Sequence, residues 1–453
     1  MLKSGHYMSA IDKTEIPVDS ALTGLSAILD SRKMASILSD RMAISDCIPG
    51  DCALLYIRYK PATNCIAAYR CKLRRKEGTD DILFYAKVFA EGDYETAAQK
   101  ALAHRWTEIP GLEPTLILPE LSTIIYFYPN DCVIEGLRVL SDPRKIQRIL
   151  YGHLDNYPRR DWHISEKKIG FNVIRYKPER RVVLKCDAKA TNRKSRSREK
   201  VTLYFRIYGD DRGSDIFSVQ GKIYDLASQS GTLSVPRPLG YLPERKALIM
   251  EMAPGTLLLE NRAGENSESD IARTAEALAA LHSFDVAGLA AKSTVDLLAE
   301  AEATNKMLES ILPSFREQIG QVFGLLRRAL PESGDSRTVH GDFYYGQVLS
   351  HEGRIAILDF DRSHRGDTVY DLGNFNAHLR LLNMRGELDN AGDLENCFLK
   401  SYQKTRKFDS DSLRFWTAFG LFQLTVGPFR RLEPYWKKKT AEILRECERI
   451  LKS

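Results

Sequence analysis

The sequence predicts an α+β fold in which two small antiparallel-sheet units stand in tandem ahead of a mostly helical lobe. Three observations predict it. Strand-like segments recur in the same order in two stretches of the first half. From about residue 268 the apolar residues fall at helical spacing. One short β-like island, VLSHEGRIAILDF at 348–360, interrupts that helical half.

The repeat is read segment by segment. YIRYKP at 56–61 answers VIRYKP at 173–178, and CIAAYRCKL answers RVVLKCDAK. After a charged loop in each copy, ILFYAKVFA at 82–90 answers TLYFRIYGD at 202–210. A helix-like segment follows, YETAAQKALAHRW in one and FSVQGKIYDLAS in the other. Leu118-Pro119-Glu120 precedes TIIYFYP, and Leu242-Pro243-Glu244 precedes ALIMEMAP. The offset between copies drifts from 117 to 124 residues, as duplication with small loop insertions would give. The β-rich runs alternate or are wholly apolar, the pattern of half-buried and buried strands.

Helices are expected at SESDIARTAEALAALHSF, where Ser and Asp can cap the start, and at TVDLLAEAEATNKMLESIL. Others are expected at FREQIGQVFGLLRRAL, SLRFWTAFGLFQL and KKKTAEILRECERIL. The aromatic-rich FWTAFGLFQL reads as helical core. We divide the chain into 1–160, 161–258 and 259–453.

At 453 residues the chain is long enough for two or three domains, and 43% apolar with 28% charged residues is ordinary for a soluble globular protein. No apolar run of membrane-spanning length is present, and the polar start MLKSGHYMSAIDKTEIP lacks a signal-peptide pattern. The eight cysteines form no CxxC pair and no zinc spacing, which reads as reduced thiols of a cytoplasmic protein. The net charge of +6 is mild. The basic stretch Lys189, Arg193, Lys194, Arg196, Arg198 and Lys200 lacks aromatic interleaving and is expected as a solvated hairpin loop, not a nucleic-acid site.

The chemistry concentrates in VHGDFYYGQVLSHEGRIAILDFDRSHRGDTVYDLGNF, residues 339–375. Phosphoryl transfer needs a carboxylate to take or orient the proton of an attacking hydroxyl. It also needs a second carboxylate to hold magnesium on the phosphates, often beside an amide oxygen. Asp342, Asp359 and Gln347 suit those roles, because the hairpin returns the chain so that Asp359 can lie beside the other two. Asp361 lies two residues on, pointing the same way along an extended segment, as a second metal ligand.

This pattern resembles the aminoglycoside phosphotransferase and choline kinase superfamily, which shares it with protein kinases. GDTVYDLGNF is similar to that family's GDPxxDLA segment, with Thr368 for proline. There Asp367 and Asp371 are read as capping a helix and bracing the catalytic loop. ALIMEMAPGTLL resembles its hinge, where backbone groups of Glu251 and Met252 would meet adenine. AEALAALHSFD resembles its helix ending in Leu-His. LYFRIYG is similar to the choline kinase strand carrying Arg, which makes Arg206 the candidate for the α- and β-phosphates. The resemblance spans about 165–390. GQVL also resembles maltokinase-type sugar kinases, which carry an extra N-terminal domain.

The resemblance implies a protein-kinase-like bilobal fold preceded by an extra N-lobe-like domain. It implies ATP and Mg2+ as cofactors and a small-molecule hydroxyl acceptor. A sugar or amino sugar is favoured over an amino alcohol or aminoglycoside. No nucleic acid or membrane partner is expected. Departures are Gln347 for the family's usual Asn, no clear Glu to pair with Arg206 (Gln220 falls near that position), and a glycine-free nucleotide loop, KPERR at 177–181. Its Lys177, Arg180 and Arg181 can touch phosphates, with Lys177 the principal candidate, although a solvated tip is the simpler reading. His340 and His282 are expected to orient the loop and the core, while Tyr344 and Tyr345 stay open between substrate contact and packing. Lys87 stands where Arg206 does, but no second catalytic loop follows it. The first unit is therefore a cap, and Lys87→Ala is expected to leave nucleotide affinity almost unchanged. The rival reading is a catalytically silent nucleotide-binding or scaffold protein.

Overall fold

The computed structural model describes residues 16–42, 48–75, 78–260, 267–332, 334 and 336–453. The polar start up to residue 15 and Cys47 lie outside them. Two antiparallel sheets occupy the first half. The first contains β1 (Ile48–Lys60), β2 (Asn64–Arg75), β3 (Gly78–Phe89), β4 (Thr115–Leu118) and β5 (Thr123–Phe127), in the order β1-β2-β3-β5-β4. The second contains β6 (Trp162–Ile164), β7 (Gly170–Lys177), β8 (Arg181–Asn192), β9 (Arg198–Tyr208), β10 (Pro238–Leu242) and β11 (Ala247–Glu251). Its path β10-β11-β9-β8 is completed by β7, which pairs β8 beside β6. Reading β7-β8-β9-β11-β10 gives the strand order of the first sheet.

The agreement extends to single residues. Each Leu-Pro-Glu makes a 3-10 turn that ends on a left-handed residue, Ser122 at φ 45° and Lys246 at φ 49°. Lys87 pairs with Ile124 and Arg206 with Leu248, each the second residue of the strand that follows that turn. Burial explains the strands. In β8 Val182, Leu184, Cys186, Ala188 and Ala190 are buried in strict alternation. In β1 the alternation changes phase at an irregularity between Leu54 and Tyr56, so that Ile57 and Tyr59 also face inward.

The helices Asp93–Ala103 and Gly213–Ser230 take matching places after β3 and β9. The first ends earlier than the sequence predicts: His104 is extended, and Trp106 instead donates its indole N–H to Ala101 O (2.8 Å). The second half contains helices Ser267–Leu281, Thr294–Ile311, Arg316–Arg328, Val369–Met384, Ala391–Gln403, Ser410–Leu424 and Trp436–Lys452. The expected hairpin is present as Val348–His351 against Arg354–Ile357. Helices Val369–Met384 and Ser410–Leu424 approach closely because Gly373 faces Trp416 and Gly420 faces Ala377.

The core divides unexpectedly. One continuous cluster joins the first sheet (Ile57, Tyr59, Tyr69, Phe84) to the helical half (Phe343, Trp416, Phe429). The second sheet packs separately, with Ile134, Leu137, Ile146, Leu150 and Leu154 among its partners. Segment 134–154 thus packs with the second sheet, ahead of the boundary expected at 160. Helix Pro143–His153, which provides Ile146 and Leu150, escaped sequence reading. The turn 193–197 of the basic stretch is exposed. The described cysteines are free thiols, and no described helix is long and apolar enough to cross a membrane.

Candidate active site

The site is assembled around the loop that follows strand Ser336–Val339. Buried Asp371, in the first turn of helix Val369–Met384, reaches back to it. Its carboxylate accepts the backbone N–H of His340 (2.7 Å) and of Gly341 (2.9 Å), and His282 Nε2 donates at 3.1 Å. Burial pushes the Asp371 carboxyl up, but the His282 hydrogen bond and the backbone donors more than offset this and hold it below its ordinary range. His282 is kept neutral by burial, so its Nδ1 accepts the Tyr402 hydroxyl at 2.7 Å. Gly341 sits at φ 81°, and a Cβ there would stand 2.2 Å from Arg362 O.

The His340 ring stitches this loop to the segment before Asp359. Its Nε2 lies 2.8 Å from Leu358 O, a pure acceptor, so Nε2 carries the proton. Its Nδ1 then accepts the N–H of Asp342 at 3.3 Å. Leu358 N–H in turn donates to Gln347 O (2.8 Å), and the Gln347 side-chain amide donates to Asp359 Oδ2 (3.3 Å). Asp342, Gln347 and Asp359 are thereby held in one small volume. Asp359 has φ 66°, a left-handed conformation that a non-glycine residue keeps only under constraint.

Asp359 and Asp361 both face Arg206 and Arg181. Arg206 Nη1 donates to Asp359 Oδ1 (3.0 Å), and Arg181 Nη2 to Asp359 Oδ2 (3.0 Å). Both arginines also bond Asp361, and the Tyr208 hydroxyl donates to its Oδ1 at 3.1 Å. Burial raises the Asp359 carboxyl, but the two guanidiniums outweigh it and bring it far below the usual range. Burial pushes the Asp342 carboxyl up, Arg362 pulls it back, and the net direction is upward, toward the pH where a carboxylate works best as a base. Burial, with Arg175 and Arg181 nearby, lowers the Lys177 ammonium to about 7, while the charges of Asp342 and Asp359 act in the opposite sense.

Arg206, Lys177, Asp342, Gln347, Asp359 and Asp361 therefore share one charged cluster. Glu251 and Met252 stand apart from it at the end of β11. The Glu251 N–H bonds Arg237 O (2.9 Å) and is already engaged within the fold, and Met252 is 46% exposed. Gln220 does not reach Arg206. It is buried and donates to Pro236 O (2.9 Å) and Met250 Sδ (3.4 Å), so the carboxylate partners of Arg206 come from Asp359 and Asp361. The 177–181 hairpin is not a solvated tip, because Arg181 turns inward. Its register opposite Tyr208, two residues from Arg206, is the signal that could have found it. Sequence reading also missed Arg362, which bonds Glu300 (2.8 Å) and acts electrostatically on Asp342. Asp367 accepts Val369 N–H (3.0 Å) and Trp416 Nε1–H (2.8 Å), so it caps the helix and ties it to the aromatic core. Tyr344 stacks on His378 with centroids 4.2 Å apart, and Tyr345 meets both edge-on, making an aromatic wall beside Asp342.

A magnesium ion asks for one or two carboxylates together with substrate phosphates. Asp359, Asp361 and the amide of Gln347 would fit such an ion once the amide presents its oxygen and the arginines that now bond both carboxylates turn to the phosphates.

Residues 192–390, which include Arg206 and the whole of 339–375, match the phosphotransferase enzyme family. The protein is a phosphotransferase. Over this segment the chain is similar to phosphotransferases of that family. No curated protein matches it. Among solved structures, a choline/ethanolamine kinase family protein from Mesorhizobium loti aligns at 14% identity and TM-score 0.42, covering 63% of this chain and 88% of its own. Macrolide 2'-phosphotransferase MphH from Brachybacterium faecium aligns at 16% identity and TM-score 0.41, covering 67% and 98%. A thermostable mutant of aminoglycoside phosphotransferase APH(4)-Ia gives 16% identity and TM-score 0.46, covering 68% and 98%. Likenesses of this degree speak to neither substrate nor mechanism.

Proposed function

We propose that this phosphotransferase moves the γ-phosphate of ATP to a hydroxyl of a small molecule, with Asp342 as base. The carrying observation is the stitched set Asp342–His340–Leu358–Gln347–Asp359, with Arg206 directed at the Asp359 carboxylate. Asp342 takes or orients the acceptor proton. Arg206 and Lys177 meet phosphate oxygens, and backbone groups around Met252 meet adenine. Asp359, Asp361 and Gln347 would hold magnesium, which supplies charge neutralisation on the phosphates. The division into cap, nucleotide lobe and helical lobe belongs to the same proposal, with 134–154 assigned to the nucleotide lobe on its packing.

For the acceptor we favour a sugar or amino sugar over an amino alcohol or aminoglycoside. Besides the GQVL resemblance, the aromatic cluster of Tyr344, Tyr345 and His378 beside Asp342 is of a kind that suits contact with a pyranose. One observation favours the silent nucleotide-binding alternative: both carboxylates proposed for metal are engaged by arginines. ADP release measured over a panel of sugars, amino sugars, amino alcohols and aminoglycosides separates the readings. Turnover with one class identifies the acceptor, whereas Mg-ATP binding with no turnover across the panel supports the silent one.

A further inference from the structure

We infer that the first sheet unit controls nucleotide affinity by holding the 177–181 hairpin through Glu179, a positioning residue. This rests on the reading above, in which the hairpin covers the phosphates. Glu179 sits at the tip with φ 59° and a side chain only 8% exposed. Lys87 Nζ donates to its Oε1 at 2.8 Å, and Arg58 Nη2 to its Oε2 at 2.6 Å. Arg58 Nη1 also donates to Pro178 O (3.1 Å). The Glu179 N–H donates to Asp131 Oδ2 (2.9 Å), which also accepts the Tyr176 hydroxyl (2.7 Å). Both carboxylate oxygens and the backbone of the tip are thus fixed by residues outside the second sheet.

The other end of this clamp is anchored in the helical half. Tyr59, next to Arg58 on β1, meets Phe429 of the helical lobe edge-on at 6.1 Å, and the first sheet shares that lobe's core. The first unit therefore grips the hairpin on one side and the helical lobe on the other. Lys87 occupies the sheet position that Arg206 occupies in the second unit, but its ammonium is committed to Glu179. Two residues beyond Glu179, Arg181 enters the cluster around Asp359 and Asp361. A tip held in place presents Lys177 and Arg181 without the close backbone approach that a glycine-rich loop provides. This replaces the expectation that Lys87→Ala would be neutral.

The test uses Lys87→Ala, Arg58→Ala, Glu179→Gln, Lys87→Arg and the pair Lys87→Ala/Glu179→Gln in the full chain. Each of Lys87→Ala, Arg58→Ala and Glu179→Gln removes one of the two mostly buried ion pairs at the tip or the charge they share, which lowers the population of the ordered hairpin, so Mg-ATP affinity falls about tenfold in each. The acceptor KM moves much less, Lys87→Arg restores most of the loss, and the double variant is no worse than the singles. Mg-ATP affinity within about twofold of wild type in all three truncations overturns the inference. Hydrogen exchange at 177–181 is read in parallel and needs no ligand. Faster exchange in Glu179→Gln and Lys87→Ala is expected, and unchanged exchange overturns the clamp. Wild-type protein that does not bind Mg-ATP overturns the proposed function instead, while the exchange result still decides the clamp.

Discussion

Asp371→Asn isolates the brace under the catalytic loop. The native carboxylate accepts three buried donors on two oxygens: His340 N–H and His282 Nε2–H on Oδ2, and Gly341 N–H on Oδ1. Asparagine has one acceptor oxygen. In its better orientation it keeps the two bonds at the Oδ2 position and turns an NH2 toward Gly341 N–H, donor against donor. An unsatisfied buried donor costs about 1–3 kcal/mol, and the two surviving bonds lose their charge assistance. The sum is about 3 kcal/mol, with Asp371→Ala larger because all three donors lose their partner. Turnover should fall more than about tenfold, since His340–Asp342 is the segment released. Thermal melting and kcat are measured together on wild type, Asn and Ala. The pH dependence has a fixed sign: a carboxyl held below its ordinary value adds stability above about pH 4, which is lost as pH falls through the folded-state value. The Asn variant should therefore show a shallower acid limb. Melting and kcat of the Asn variant within experimental error of wild type would refute the reasoning.

Lys177, lowered to about 7, should regain its proton when phosphate arrives, so Mg-ATP binding near pH 8 takes up a proton. Binding enthalpies in buffers of different ionisation enthalpy check this, and Lys177→Met should abolish the uptake. For stability alone the same group works the other way: the unfolded chain keeps this proton to about pH 10.4, so its contribution rises with pH from about 7 upward. Arg206→Ala should weaken Mg-ATP binding at least tenfold by calorimetry, because the buried, permanently charged group proposed to meet the phosphates is removed from between two carboxylates. Gly373→Ala should lower the melting temperature by an overpacking cost of about 1–3 kcal/mol, because a Cβ there would stand 2.4 Å from the Trp416 backbone.

Much of this was legible because it is written in local pattern. The RYKP repeat, the alternation in β8 and the two Leu-Pro-Glu turns are short-range signals, and each matches an observed strand or turn. Asp342, Gln347 and Asp359 were found because hairpin geometry returns the chain over a short span. What escaped depends on contacts distant in sequence. Arg181 reads as one of three loop cations that can touch phosphates, and its carboxylate partners, 178 and 180 residues away, are invisible until the chain is folded. Glu179 looks like a solvated tip until Arg58 and Lys87 reach it from 121 and 92 residues away. Helix Pro143–His153 was hidden by its polarity, since only Ile146 and Leu150 are buried along it. Tyr344 and Tyr345 stayed open between substrate contact and packing for the same reason: Tyr344 and His378 meet only after helix Val369–Met384 folds back on the loop.

The most direct test of the account is single-turnover phosphoryl transfer by Asp342→Asn beside wild type, with Mg-ATP binding measured on the same samples. The account predicts transfer in the wild type, its loss by several orders of magnitude in the variant, and Mg-ATP affinity nearly unchanged, because Asp342 acts on the acceptor proton and not on the nucleotide. A variant that transfers phosphate at the wild-type rate would contradict the assignment of the base and, with it, the role given to the loop that Asp371 and His340 hold in place.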